Sequence, residues 1–378
     1  MRGRTRARHG VRGPLRALLL LTLVACGKRE PAAEGEADQI AVGAAAQLWQ
    51  PIEARLRVAL ETNPYPLPGA KAFELTHYPP DGEEWSTLRR SRQVLLIGTP
   101  TDPWIEEARG ADPPEVTLPA LIERRDLWAR DQHVTVLLLS PGDLLPALEE
   151  QLADLRALYE RRYREWVVGR LFFPGGPDRA LANSLQVAGG FELLLPHGYR
   201  WHREEDVFLF SAPSADSVDL IRQITVTWRS PITDAMQPDA LLSWREQLAT
   251  AHYGGRQVAN RSALRGRPTT HRGNLAYLLM GTWTGRNPSG ARVSGPFLLR
   301  AVICPTQDRT YLLDAWLYTT EQEKQKYVVQ LESILNSFRC GPSSGRATRR
   351  VAGGARPEIH RHTDRARAGG LASAALAC

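Results

Sequence analysis

The chain is poor in the residues that most often carry chemistry. Its 378 residues include four cysteines and nine histidines. They form no His-Glu-x-x-His, no paired Cys-x-x-Cys and no phosphate-cradling Gly-x-x-x-x-Gly-Lys-Ser/Thr. His197 and His202 flank a turn signal, and no two of the earlier histidines stand one helical turn apart, so neither metal nor cofactor is expected. Long apolar runs are missing too. The longest, Leu15 to Ala25 with Arg16 near its start, is about half the roughly 20 residues a membrane-spanning helix needs. A basic stripe with interleaved aromatics is also lacking, although the net charge is +7. Residues 1–25 supply +6 of that charge and residues 341–378 supply +5, which leaves −4 for the body between them. Nucleic acid is therefore not an expected partner.

What the front end does have is an address. Six arginines and no acid occupy residues 1–25, whose later part is the short apolar run, and that run ends in Leu23-Val24-Ala25-Cys26-Gly27. This resembles the lipobox of bacterial lipoproteins. The resemblance implies that Cys26 is acylated and becomes the first mature residue, holding the chain to the membrane by lipid. Gly27 lacks the aspartate that marks inner-membrane retention, so the expected destination is the outer membrane. Residues 26–38, rich in Ala, Glu and Pro, are expected to form a flexible tether, and the Gly/Arg/Ala-rich residues 341–378 a disordered basic tail.

About 300 residues remain, more than one typical domain, and they divide by pattern. Residues 39–188 read as a small α/β domain. Trp49, Ile52, Leu56 and Leu60 recur at helical spacing, and "RQVLLIGTP" and "QHVTVLLLS" are continuous apolar runs suited to strands buried on both faces. Leu148, Leu152, Leu155, Tyr159 and Trp166 then mark one side of a long helix. Residues 189–340 read as six strands, interrupted by a helix at Pro238–Ala251 and closed by a helix whose face carries Tyr327, Leu331, Ile334, Leu335 and Phe338. Thr320 and Glu323 read as the capping box of that last helix. The expected class is α+β, with the antiparallel sheet packed on helices along one face.

Two polar constellations stand out. Arg125, Asp126, Trp128, Asp131 and Gln132 precede the second buried strand, either lining a cleft or forming a loop in which Asp126 bonds backbone amides and Trp128 covers the core. In the last two strands, alternation separates a small aliphatic face from one holding Arg300, Asp314 and Trp316, where Arg300 and Asp314 are expected to meet across the hairpin. Such a face suits contact with the first domain or an external ligand. Cys304 and Cys340 finish at the same end of the sheet, because strand, return strand and closing helix have similar lengths. A disulfide between them is expected, although alternation is read as turning Cys304 away from the helix.

The stretches "ERRDLWARDQ", "LLLPHGYR", "SPITDAMQPDALLSWREQL", "SGPF" and "LESILNSF", with the lipobox, resemble an uncharacterised family of bacterial envelope lipoproteins defined by a domain of unknown function (DUF 4837). The resemblance extends over Gln39 to Phe338. More distantly, the second domain is similar to the PsbP-like fold, whose chain ends in a comparable Ile-Leu-x-Ser-Phe helix. Members of that fold are mostly binding or assembly modules. The family resemblance implies location and architecture but no mechanism, and the leading expectation is a non-enzymatic, lipid-anchored envelope protein that binds a protein or glycan partner. The alternative is an envelope hydrolase with its site between the two domains.

Overall fold

The computed structural model describes residues 30–110, 116–142, 144–213, 220–233, 236–253, 257–287, 290–320 and 324–342. Cys26, Glu323 and nearly all of the basic tail lie outside them. The chain runs β1 (Gln39–Gly43), α1 (Ala46–Glu61), β2 (Glu74–Tyr78), α2 (Trp85–Leu88), β3 (Gln93–Gly98), α3 (Pro103–Arg109), β4 (Ala120–Arg125), β5 (His133–Leu138), α4 (Leu144–Leu171) and α5 (Arg179–Gly189). It continues through β6 (Phe191–Glu192), β7 (Arg200–Glu204), β8 (Val207–Ser211), β9 (Leu220–Arg229), α6 (Pro238–His252), β10 (Val258–Ala259) and β11 (Arg265–His271). The last elements are β12 (Asn274–Arg286), β13 (Arg292–Cys304), β14 (Arg309–Thr319), α7 (Lys324–Asn336) and β15 (Arg339–Cys340).

The first sheet has the order β2-β1-β3-β5-β4, parallel except for β4. Every residue of β3 is buried, because α1 and α4 cover one face and α2 and α3 the other. That is why its sequence shows no alternation. Residues 31–34 are bound rather than free. Ala33 N–H donates to the Arg130 carbonyl at 2.8 Å, and Arg92 N–H donates to the Glu34 carbonyl at 2.7 Å. The expected flexible tether is thus corrected over these positions. Small residues there, Ala33 and Ala37, are buried against the sheet, which composition alone does not reveal.

The second sheet is antiparallel, in the order β10-β12-β13-β14-β9-β8-β7, with β11 also paired to β12. Its class is the expected α+β, but helices cover both faces rather than one. On one face α7 packs against Leu298, Val302, Leu313, Ala315 and Leu317. On the other, Leu241, Leu242 and Leu248 of α6 meet Phe297, Leu299, Leu312 and Trp316. The α7 cluster is continuous with the α1 and α4 side of the first sheet, so a single hydrophobic core runs from Ile40 to Phe338.

Cys304 and Cys340 form a disulfide, with Cα atoms 5.9 Å apart. Cys304 is fully buried and lies on the α7 face with Leu298 and Val302. The helix is on the face that alternation assigns to Cys304. The helix packs on the aliphatic face of β14 as expected, Leu313, Ala315 and Leu317, but on the opposite face of β13 from the one expected.

Candidate functional site

α4 and α7 face each other where the two sheets meet, and each offers one stripe to a cleft of about 350 Å³. The stripe of α4 carries Arg156, Glu160 and Tyr163, with Arg164 beside it; that of α7 carries Gln325, Val329 and Glu332. Both recur at i, i+4 and i+7, one face of a 3.6-residue helix. The loop after α1 closes one wall through Tyr65, and the edge strand β11 brings Arg267 to the rim.

Polar contacts here tie the two halves of the chain. Tyr65 O–H donates to Glu332 Oε2 at 2.7 Å, and the Arg164 guanidinium stands 2.7 Å from the same oxygen. Asn63 Nδ2 donates to Gln325 Oε1 at 2.7 Å, while Gln325 Nε2 donates to the Ala72 carbonyl at 3.1 Å. Arg156 donates to the carbonyls of Ala59, Leu60 and Thr62, all within 3.0 Å, and so closes the C-terminal end of α1.

Burial, with the Glu332 charge beside it, raises the Tyr65 phenol well above its ordinary value. Burial opposes the charge of Arg164, yet Glu332 and Tyr65 more than restore it, and its pKa rises. Both shifts deepen the resting protonation state; neither moves a group toward neutrality, where general acids and bases operate. The lining holds no Ser, Thr, Cys or His. It is built to hold charge in place.

The sequence-derived candidates are distributed elsewhere. Asp126, in a left-handed turn at φ 53°, accepts from the Asp131 amide at 2.6 Å through Oδ1. Trp128 donates from Nε1 to Glu107 at 3.1 Å and packs on the core, under the Arg89 guanidinium. Gln132 is buried and holds the carbonyls of Arg89 and Ser91. Asp126, Asp131 and Gln132 also edge a second cleft of about 350 Å³, which Trp128 does not line.

Arg300 and Asp314 do not meet. In an antiparallel ladder, directly opposed residues share a face. Here Arg300 opposes Leu313, and Asp314 opposes Leu299, so the two charges point to opposite sides of the sheet. The expected pair is corrected by this one-residue register. On the α6 side, Asp314 accepts from Arg245 Nε at 3.1 Å and from the Tyr253 hydroxyl at 2.7 Å. Both members of the ion pair are fully buried. Burial pushes the Asp314 carboxyl above its usual range, and Arg245 pulls it back. Trp316 lies edge-on to Trp283 under the same helix. The mixed aromatic face is therefore covered by α6; it is neither exposed nor pressed against the first sheet.

On the opposite side, Arg300 NH1 lies 3.0 Å from His271 Nδ1, and His271 Nε2 lies 2.8 Å from the Phe338 carbonyl. A carbonyl only accepts, so Nε2 carries the hydrogen and Nδ1 accepts from Arg300. Burial, together with the Arg300 charge, lowers the His271 pKa and keeps the ring neutral. Neither this clamp nor the Tyr65–Glu332–Arg164 triad was legible beforehand. Tyr65 and Glu332 stand 267 positions apart. No group of three or more potential metal ligands occurs among the described residues.

Solved structures offer loose likenesses. The Ran-binding protein Mog1p of Saccharomyces cerevisiae is 13% identical, with 41% of this chain and 93% of that one covered, at a TM-score of 0.30. LpqN of Mycobacterium tuberculosis, described as involved in cell envelope biogenesis, is 15% identical, with 45% and 86% covered, at 0.27. Human STARD10 is 9% identical, with 42% and 74% covered, at 0.20. No curated protein matches the chain. Residues 178–337, from the N-cap of α5 to the residue after α7, match the family described as "Domain of unknown function (DUF4837)"; the first sheet lies outside that match. Over residues 178–337 this chain carries a DUF4837 domain.

Proposed function

We propose that this is a lipid-anchored protein of the bacterial cell envelope, held to the outer membrane through Cys26, that acts by binding a protein or glycan partner rather than by catalysis. The observation that carries the binding reading is the cleft between α4 and α7. Its carboxylates, Glu160 and Glu332, are each held by an arginine, and its Tyr65 phenol is locked in the protonated state. Arg267 stands at the rim beside apolar Leu278 and Met280. That mixture suits an anionic group carried on an apolar body.

The anchor is tested by mass spectrometry of the mature N-terminus. A diacylated Cys26 is expected, and a Cys26→Ser chain is expected to stay unacylated. Binding is tested by placing a photo-crosslinking residue at Arg267 in cells. An adduct at 267 that is lacking from the exposed Val187 of α5 supports the cleft. Identical patterns at both positions refute it.

A further inference from the structure

The parallel strands β1, β3 and β5 all begin at one pole of the first sheet, and the bound segment 31–34 arrives there. Arg130 N–H donates to the Pro31 carbonyl at 2.8 Å, and Arg92 Nε donates to the Gly35 carbonyl at 3.0 Å. Ala32 is thereby fixed beside the residues that lead into β3 and β5. Six residue steps separate it from Cys26. At no more than about 3.6 Å per residue, they reach at most about 22 Å.

The long helix α4 overshoots this same pole. Tyr159 O–H donates to the Val94 carbonyl at 3.2 Å, near the start of β3, and Arg162 reaches Gln93 and Thr135. One turn later Glu165 and Trp166 flank the cleft that Arg92 and Asp131 share. Five further residues carry the helix about 7.5 Å beyond, at about 1.5 Å each. The chain then turns through Phe173, whose side chain is 80% exposed. A single exposed phenylalanine is ordinary on a protein surface. This one stands on the turn from α4 to α5, at the end of the helix that passes the strand starts where segment 31–34 is bound.

We propose that this pole rests on the bilayer, with Phe173 inserted at the level of the headgroups and upper acyl chains. The proposal depends on the anchoring reading given above. Arg170, exposed and stacked on Trp166 with its guanidinium 4.0 Å from the ring centre, is placed to meet lipid phosphates. So are the exposed Arg125 and Arg130. Asp126, Asp131 and Glu165 share the pole and keep its charge near balance. The contact therefore rests on apolar insertion and orientation more than on net charge. With this pole down, the C-terminal ends of the parallel strands, including the exposed turn at Thr101, face away from the membrane.

The test uses the full acylated chain in vesicles of phosphatidylethanolamine and phosphatidylglycerol with brominated acyl chains. An environment-sensitive dye is attached through Phe173→Cys, or through Thr101→Cys as the control, each in a Cys378→Ser background. Both positions are exposed, so the fold is retained. Flotation with the vesicles, lost in a Cys26→Ser chain, reports anchoring separately from orientation. Quenching of the dye at 173 but not at 101 supports the proposal. Flotation with no quenching at 173 leaves anchoring intact and overturns the proposal. A blue shift at 173 without quenching reports cover by a second copy of the chain and overturns it as well. Failure of the acylated chain to float overturns both readings.

Discussion

Asp314 and Arg245 form an ion pair with no access to water, anchored on β14 and α6. Taking one member away strands the other charge, which typically costs about 3–5 kcal/mol. Asp314→Ala is therefore expected to destabilise by that amount in urea unfolding. The paired change Asp314→Asn with Arg245→Met is expected to recover most of the loss, since both replacements nearly keep the volume, the amide oxygen can still accept from Tyr253, and no charge is stranded. Equal losses in the single and paired variants would refute this. On the other face, His271 is neutral in the fold, whereas the unfolded ring titrates near its ordinary value of 6.5. Below that value the unfolded chain binds more protons than the native one, so stability is full above it and is lost as the pH falls toward the lowered native value. His133 is lowered in the same direction, by burial and then by Arg162. Melting temperature is expected to drop between about pH 7 and about pH 5. His271→Gln, which can still donate and accept, is expected to flatten that slope without abolishing it.

Elements with a plain period were legible, and those without one were not. The all-buried β3 and the stripe of α1 follow from apolar residues at fixed intervals, and the structure places them as read. The strands β7 and β11 escaped, because Arg200–Glu204 is exposed throughout and Arg265–His271 is polar and carries Pro268. Those features protect sheet edges, and edges show no burial pattern to read. The α4–α7 cleft escaped for a different reason. Its residues come from five distant segments, and only the docking of the halves brings them together. The loop at Asp126 was read as one of two possibilities, and the structure shows features of both: Asp126 accepts from the Asp131 amide, and Arg125, Asp126, Asp131 and Gln132 edge a cleft. The disulfide also belongs to this scale, since it joins the end of β13 to β15 across 36 residues. Loop-closure entropy for that span gives about 4 kcal/mol. Cys304→Ala with Cys340→Ala is expected to lower stability by about that much in chemical denaturation.

At the scale of the whole molecule, the core shared by both sheets predicts that they unfold together. Leu155 and Tyr159 of α4 belong to the same cluster as Leu331 and Leu335 of α7. A single calorimetric transition is expected, and two resolved peaks would show that the cluster separates cleanly. The same architecture governs how the protein carries mechanical load. If the chain is held at its lipidated end and pulled from beyond residue 342, tension reaches the fold through β15. The bond from Cys340 passes it directly to Cys304, at the end of β13 near the middle of the second sheet. β14 and α7 lie inside the bridged loop and carry no tension. In an oxidising compartment, stretching should therefore release a chain shorter by about 36 residues than the reduced protein does. At about 3.6 Å per residue, the difference is on the order of 130 Å. The disulfide makes roughly the last quarter of the second domain a load-shielded insert rather than the first part to peel away.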